Sequence, residues 1–307
     1  MSEKKIGIKI AILCTTKNGD PWIAEQVESM LCQFGLVIDI FFSDDQSTDG
    51  TADWLKTKSQ IDRRVHILST SGKFGSAAMN FFRLFRDVDF DNFDYVALAD
   101  QDDIWALDKL LRAVTCLQKE GCDGYSSDLI AFDNKSRRSW YLKKSSVQQQ
   151  LDYLFQGASA GCTYVLTQKA AQLIKARLVT NQEYCHSKLS HDWLIYAICR
   201  AHGLAWFQDT EARIFYRQHG GNQYGALPGA SGIIERAKNV QSGWYRDHVI
   251  ELKNFLLGTS GRERAVFLAI ERYGYKDRIW LIRNAYKFRR TYKDIFLLRI
   301  AIILGLF

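Results

Sequence analysis

The sequence predicts an α/β fold: a mostly parallel central sheet flanked by helices, with a helical C-terminal extension. Three observations predict it. Short apolar runs alternate with helix-spaced segments over the first 120 residues, the order that lays parallel strands side by side through right-handed crossovers. Three of those runs end in polar loops, as strands do at the ligand-binding edge of an open sheet. From Ile233 onward the apolar spacing is helical only. A length of 307 residues suits one large domain or a domain with an appendage, and a hydrophobic share of 47% is ample for its core.

In order, Ile6 to Cys14 reads as a first buried strand, and Thr15 to Pro21 as a loop by composition. Trp22 to Phe34 has helical spacing, with Ile23, Val27, Met30, Leu31 and Phe34 on one side. Val37 to Phe42 is a second strand ending in Ser43-Asp44-Asp45-Gln46-Ser47-Thr48, and Asp49 or Thr51 can cap the helix that Ala52 begins. Val65 to Leu68 is a short strand. The loop Gly72-Lys73-Phe74-Gly75-Ser76 leads into a helix over 77–85.

The organising stretch is Tyr95-Val96-Ala97-Leu98-Ala99-Asp100-Gln101-Asp102-Asp103-Ile104-Trp105. An apolar run meets three carboxylates within four positions, as a central strand would if it ended in an acidic cluster. Asp100 and Asp102 alternate along an extended backbone and face the same way. Carboxylates this close repel one another unless a cation or proton intervenes, and a hard ion, Mg²⁺ or Mn²⁺, fits such ligands. The alternative is an acidic helix start, with Asp103 as N-cap of a helix from Trp105 to Leu117.

Ser126 to Phe132 reads as a further strand, and residues 134–150 as an exposed or mobile polar loop. Thr163 to Leu166 is a strand and Lys169 to Leu178 a helix. Ser190-His191-Asp192-Trp193 opens another helix, with Ser190 as N-cap and Asp192 in the first turn, where the helix dipole favours an ionised carboxylate. Two short strand-like runs, 205–208 and 212–216, lead to Tyr216-Arg217-Gln218-His219.

The net charge is +7, and residues 262–307 carry all of that excess. A basic field of this kind favours a membrane surface or nucleic acid, but no nucleic-acid module is recognisable. The last thirteen residues, 295–307, hold one Arg and are too short to span a bilayer, as is every other apolar stretch. A basic amphipathic segment lying in the membrane interface is the expectation, and packing on the core or on a second copy is the alternative. Seven scattered cysteines without a CxxC pair argue for a reducing compartment and against a disulfide framework or zinc site. Residues 1–14 make no convincing signal peptide.

Together the motifs resemble those of the family-2 inverting glycosyltransferases of GT-A fold, in the bacterial branch that includes rhamnosyltransferases of surface-polysaccharide assembly. Ala11 to Gly19 stands where that family has a strand ending in a Thr-Tyr-Asn-like turn. Phe42 to Thr51 is similar to its Asp-Asp-x-Ser-x-Asp-x-Thr loop, and Ala99 to Trp105 to its DXD metal motif. Ser190 to Trp193 and Tyr216 to His219 stand where it has a catalytic carboxylate and a closing His loop. The match spans roughly residues 8–225. It departs at Lys73, two residues ahead of Gly75, where Asn often precedes the Gly. It also lacks the Gln-x-x-Arg-Trp motif of processive members, so single additions are expected.

The resemblance implies a Rossmann-like glycosyltransferase domain over 1–230, with a nucleotide-binding half near 6–120 and an acceptor-binding half near 121–230, and an extension over 231–307. It implies a donor site of Thr15, Lys17, Asp44, Asp45, Lys73, Gly75, Asp100 and Gln101. Asp102 is the first metal ligand, with Asp100 and His219 beside it, holding Mg²⁺ or Mn²⁺. Asp192 is the base, and Trp105, Trp193 and His191 are candidate acceptor contacts. The donor is dTDP-rhamnose or a UDP sugar and the acceptor a lipid-linked saccharide. The place is the cytoplasmic face of the bacterial membrane, bound peripherally, with a homo-oligomer left open. The rival is a non-catalytic carbohydrate-binding or scaffold protein of the same fold, against which the joint presence of Asp102 and Asp192 speaks.

Overall fold

A computed structural model describes residues 7–69, 72–186, 189–220, 244–256 and 261–307. The first half alternates strands and helices as expected: β1 (Lys9–Thr16), α1 (Ile23–Leu31), β2 (Val37–Asp44), α2 (Thr51–Ile61), β3 (Val65–Ile67), α3 (Ala77–Asp87) and β4 (Tyr95–Ala99). β1 pairs in parallel with both β2 and β4, and β2 with β3. The register sets Thr16 beside Asp44 and Cys14 beside Ala99, so all three polar loops leave the sheet at one edge. The chain order reverses around β1, which makes this edge a switch point of the sheet.

The period-2 alternation of β1 separates two cores. Ala11 and Leu13 face one cluster with α3, while Ile10, Ile12 and Cys14 face a second cluster with α1 and α4 (Lys109–Glu120). The seven-stranded sheet is completed by β6 (Gly124–Ser127), β9 (Val165–Thr167) and β10 (Trp206–Asp209), in the order β10-β6-β9-β4-β1-β2-β3. β9 runs antiparallel between β4 and β6. Its N-terminal end therefore lies at the C-terminal end of β4, which brings the Gly157–Gly161 segment to the ligand edge.

A smaller sheet, β5 (Ile104–Trp105), β11 (Ile214–Arg217), β7 (Leu129–Asp133) and β8 (Arg138–Leu142), lies beside that edge. Three expectations are corrected here. Trp105 is in β5, paired with β11, and the helix starts only at Lys109, so Asp103 is not its cap. The run Ser126 to Phe132 is two strands in two sheets, because the chain crosses at Asp128. That buried carboxylate accepts hydrogen bonds from the Lys144 and Ser145 amides (2.5 and 2.6 Å) and the Tyr141 hydroxyl (2.6 Å). The same bonds hold down the segment 134–150, which contains β8 and is not a free loop.

After α5 (Gln168–Thr180) and α6 (His191–Ala201) come the described C-terminal helices α7 (Trp244–Leu256), α8 (Gly261–Arg272), α9 (Tyr275–Phe288) and α10 (Tyr292–Leu304). They share the larger core with α3, α5 and α6. Phe288 stacks on Phe155 at 4.4 Å, and Phe307 closes over Phe155 and Tyr245. α10 buries Leu298 and Ile302 but exposes Phe296, Leu297, Ile303 and Leu304. It is thus apolar on several faces, a difference from the amphipathic pattern expected. Among the described residues no helix is long and apolar enough to cross a membrane.

Candidate active site

The ligand edge opens into a cavity of about 1400 Å³. One wall is a braced set of loops. Gln101 ties its side-chain amide to Lys17, accepting from the backbone amide at 2.7 Å and donating to the carbonyl at 2.9 Å. The Lys17 ammonium donates to the carbonyls of Asp45 and Gln46, both at 2.6 Å. Asp44 accepts from the Thr16 hydroxyl at 2.8 Å and from the Ser47 amide at 2.8 Å. Asp45 accepts from the amides of Phe74 and Gly75, the latter at 3.0 Å. Gly75 has φ +77°, a left-handed conformation that glycine adopts at little cost, which is what allows this turn to point its amide at Asp45.

Of the residues expected at the donor site, Thr15, Lys17, Asp45, Lys73, Gly75, Asp100 and Gln101 all line this one cavity. Asp44 is not among the lining residues. Its oxygens are committed to Thr16 and Ser47, so it braces its own loop from behind.

Asp100 and Asp102 line the cavity floor. Burial pushes the Asp100 carboxyl up to about 7, and the charges of Asp102 and Asp192 add to the rise. Carboxylates converging from two elements make a setting that suits a divalent cation. β11 returns the chain to this floor: the Arg217 Nε donates to the Asp102 carbonyl at 2.9 Å, and His219 Nε2 lies 2.8 Å from Asp102 Oδ2. Trp22 stacks on the His219 ring at 3.8 Å and fixes its plane.

Asp100, Asp102 and His219 are not drawn together as a trio, because His219 Nε2 is turned to Asp102 Oδ2. Among the described residues, the three donor groups within 4.8 Å of one another are Asp100, Asp103 and Cys162. Asp103 is fully buried, with one oxygen unpartnered and its carboxyl raised far above the usual range, first by burial and then by Asp102 and Asp100. A hard cation suits the carboxylates of this floor and the imidazole beside them.

The opposite wall is the N-terminus of α6. Asp192 Oδ1 accepts from the Ser190 hydroxyl and from the Trp193 amide at 2.7 Å, which leaves Oδ2 for chemistry. Ser190 therefore serves the Asp192 side chain and does not cap a backbone amide as expected. His191 lies flat on Phe81 at 4.3 Å, with Nε2 buried and unpartnered. Gly161 makes room for it, since a Cβ there would stand 2.4 Å from His191 Nε2.

Of the two tryptophans named as candidate acceptor contacts, Trp193 lines the cavity and Trp105 does not. Trp105 is 2% exposed, beneath the Lys109 ammonium at 3.4 Å. Trp193 reaches the cavity wall, but its ring is packed against His248 and donates Nε1–H to the Tyr153 carbonyl at 2.8 Å. Bulky apolar rings beside chain turns are absorbed by the core here.

Two site residues were not singled out from sequence. Cys162 is an isolated cysteine after a small-residue run, and only the reversed direction of β9 brings it to Asp100. Arg290 sits in a basic tail where nothing distinguishes it from surface charge, yet it lines the cavity.

A parallel sheet with braced nucleotide-type loops, an acidic floor and a carboxylate on the facing helix is the site of a GT-A glycosyltransferase. Comparisons with known proteins agree. Residues 11–172 match the model of glycosyl transferase family 2. The chain is 34% identical over 293 residues to dTDP-rhamnosyl transferase RfbG of Shigella flexneri, covering 95% of this chain and 99% of that protein. It is 31% identical over 121 residues to the putative teichuronic acid biosynthesis glycosyltransferase TuaG of Bacillus subtilis, covering 38% of this chain and 46% of that one. The crystal structure of S. aureus TarS 1–349 superposes with a TM-score of 0.58 at 12% identity, over 97% of this chain and 81% of that one, which shows the common fold. The chain belongs to glycosyl transferase family 2, whose members are nucleotide-sugar-dependent transferases.

Proposed function

We propose that this glycosyltransferase moves one rhamnose from dTDP-rhamnose, with inversion, to a hydroxyl of a lipid-linked saccharide in bacterial surface-glycan assembly. The observation that carries the donor is the 34% identity to a dTDP-rhamnosyl transferase across almost the whole chain. Inversion and single addition rest on the family motifs and on the absence of a processive signature.

The loops of Thr15 to Lys17, Asp45 and Lys73 to Gly75 cradle the nucleotide. Asp102 as first ligand, with Asp100 beside it and His219 on its Oδ2 at 2.8 Å, would hold Mg²⁺ or Mn²⁺, and the ion would supply Lewis acidity against the charge of the departing diphosphate. Asp192 Oδ2 takes the proton of the acceptor hydroxyl. The hydroxyl oxygen bonds to the anomeric carbon from the face opposite the leaving group as the bond to dTDP breaks, so dTDP leaves with its electron pair. Ser190 and the Trp193 amide keep Asp192 in one rotamer, which limits the orientational cost of the attack.

The protein is further proposed to lie on the cytoplasmic face of the membrane through its basic C-terminal segment. Exposed Phe296, Leu297, Ile303 and Leu304 on α10, together with the tail's positive excess, support that reading. The donor test is transfer of label from dTDP-rhamnose, and separately from UDP-glucose and UDP-GlcNAc, to lipid-linked saccharides extracted from bacterial membranes. Transfer from dTDP-rhamnose alone is expected. Transfer only from a UDP sugar replaces the donor and leaves the class intact.

A further inference from the structure

One buried cation in the cavity wall has no part in the reaction as described. Arg290 occupies the turn between α9 and α10, and its side chain is 3% exposed. Nε donates to Asp152 Oδ2 at 2.5 Å and Nη1 to the Ala158 carbonyl at 3.3 Å, whereas Nη2 is buried with no partner. A desolvated guanidinium with an unused donor is costly to keep, and such groups are rare without a use.

Asp152 is fully buried but shared: it also accepts from the Tyr196 hydroxyl at 3.0 Å and lies 3.5 Å from Arg200. Two guanidinium groups thus share the one carboxylate of Asp152, and another buried acid, Glu263, is engaged by the Tyr153 hydroxyl on the Arg200 side. The position of Arg290 is held firmly. The Leu151 amide donates to the Lys287 carbonyl at 2.9 Å, and Arg289 donates to the Phe155 carbonyl at 2.8 Å. These contacts place Arg290 on the segment that runs through Ala158 to Gly161, beside the start of α6. That is the wall of Asp192, not the wall of the braced donor loops.

We infer that Arg290 recognises an oxyanion of the acceptor, a phosphate or a carboxylate, bound next to the hydroxyl that Asp192 deprotonates. The inference rests on the transfer reading above. Arg290 lines the cavity with its guanidinium anchored through Nε and Nη1, so its unpartnered Nη2 lies just beneath that wall, and a fixed planar cation suits an oxyanion better than a neutral sugar. The two sources differ: a lipid diphosphate would lie toward the exposed apolar helix that starts two residues later, and an acidic sugar within the glycan itself.

The test is calorimetric titration of the full chain, saturated with dTDP and Mg²⁺, with geranyl diphosphate against geraniol and with methyl glucuronide against methyl glucoside. One acidic probe is expected to bind wild type at least tenfold more tightly than its neutral partner, and that arm identifies the source. Arg290→Gln should reduce the preference to within about twofold. If Arg290→Gln does not fold, Arg290→Lys serves, because an ammonium drawn to Asp152 keeps the charge but lacks the planar fork that holds a separate nitrogen for the oxyanion. No acid preference in wild type, an undiminished preference in the folded variants, or acid binding that vanishes as dTDP saturates would each overturn the inference. Intact dTDP binding without acid preference removes only the role of Arg290. Absence of dTDP binding takes the transfer reading down with it.

Discussion

Replacing Asp192 by Asn separates the proposed base from the scaffold that holds it. Oδ1 accepts from the Ser190 hydroxyl and the Trp193 amide, and an Asn carbonyl oxygen can accept both. Only Oδ2 changes, from a basic oxygen to an amide that cannot take a proton. The fold should therefore survive with a stability change below about 1 kcal/mol. Loss of a general base costs about 10²- to 10⁴-fold in rate, or roughly 3–5 kcal/mol of barrier. Burial is the main reason the Asp100 carboxyl is pushed up to about 7, with the Asp102 and Asp192 charges adding to it, so removing the Asp192 charge should let Asp100 titrate somewhat lower. Sugar transfer under saturating donor is the activity assay, with calorimetry for dTDP and carboxyl NMR for Asp100. A rate within tenfold of wild type, with dTDP binding intact, would remove Asp192 as the base.

Three further outcomes follow from the same geometry. Gly161→Ala should cut transfer at least tenfold while dTDP affinity stays within about threefold, because the new Cβ strikes His191 and presses on the Asp192 helix start; unchanged transfer kinetics would show that His191 and its neighbour are free to shift. Lys109 is buried and its ammonium is pushed down to about 7, chiefly by burial, from an ordinary 10.5. The unfolded chain then binds more protons between those values, so this group makes stability rise with pH from about 7 to 10.5, by at most about 1.4 kcal/mol per pH unit. Lys109→Met should flatten that part of the urea-unfolding profile, and a profile parallel to wild type would count against it. Changing Phe296, Leu297, Ile303 and Leu304 together to Ser should abolish salt-sensitive binding to anionic liposomes with Tm nearly unchanged, since all four side chains are exposed. Binding equal to wild type would send the membrane contact elsewhere. Deletion of 278–307 is a poorer test, because Phe288 and Phe307 are built into the core around Phe155.

The first half of the fold was legible because its strands announce themselves through local sequence. The apolar run into Asp100 and the alternation in β1 need no long-range information, and three loops on one edge follow from parallel pairing. Reading failed where the chain changes sheet. Asp128 breaks what looks like one strand, and nothing nearby in sequence reveals that Lys144 and Ser145 will satisfy it. Trp105 failed for the same reason: its pairing with Ile214 spans more than a hundred residues. In the site, residues within motifs were found, and Asp45 and Asp192 reach the cavity. Asp44 has the right chemistry in the right motif, yet its hydrogen-bonding capacity is spent on its own loop. Arg290 was invisible because its meaning is a burial of charge, which composition reports only as a basic tail.

The most direct measurement is calorimetric titration of the protein with dTDP and with UDP, each with Mn²⁺ and with chelator, on wild type and Asp102→Asn. The account predicts that dTDP binds wild type in the presence of Mn²⁺, and that chelator or Asp102→Asn weakens it at least tenfold. Binding of neither nucleotide, or dTDP binding indifferent to both metal and Asp102, would contradict it.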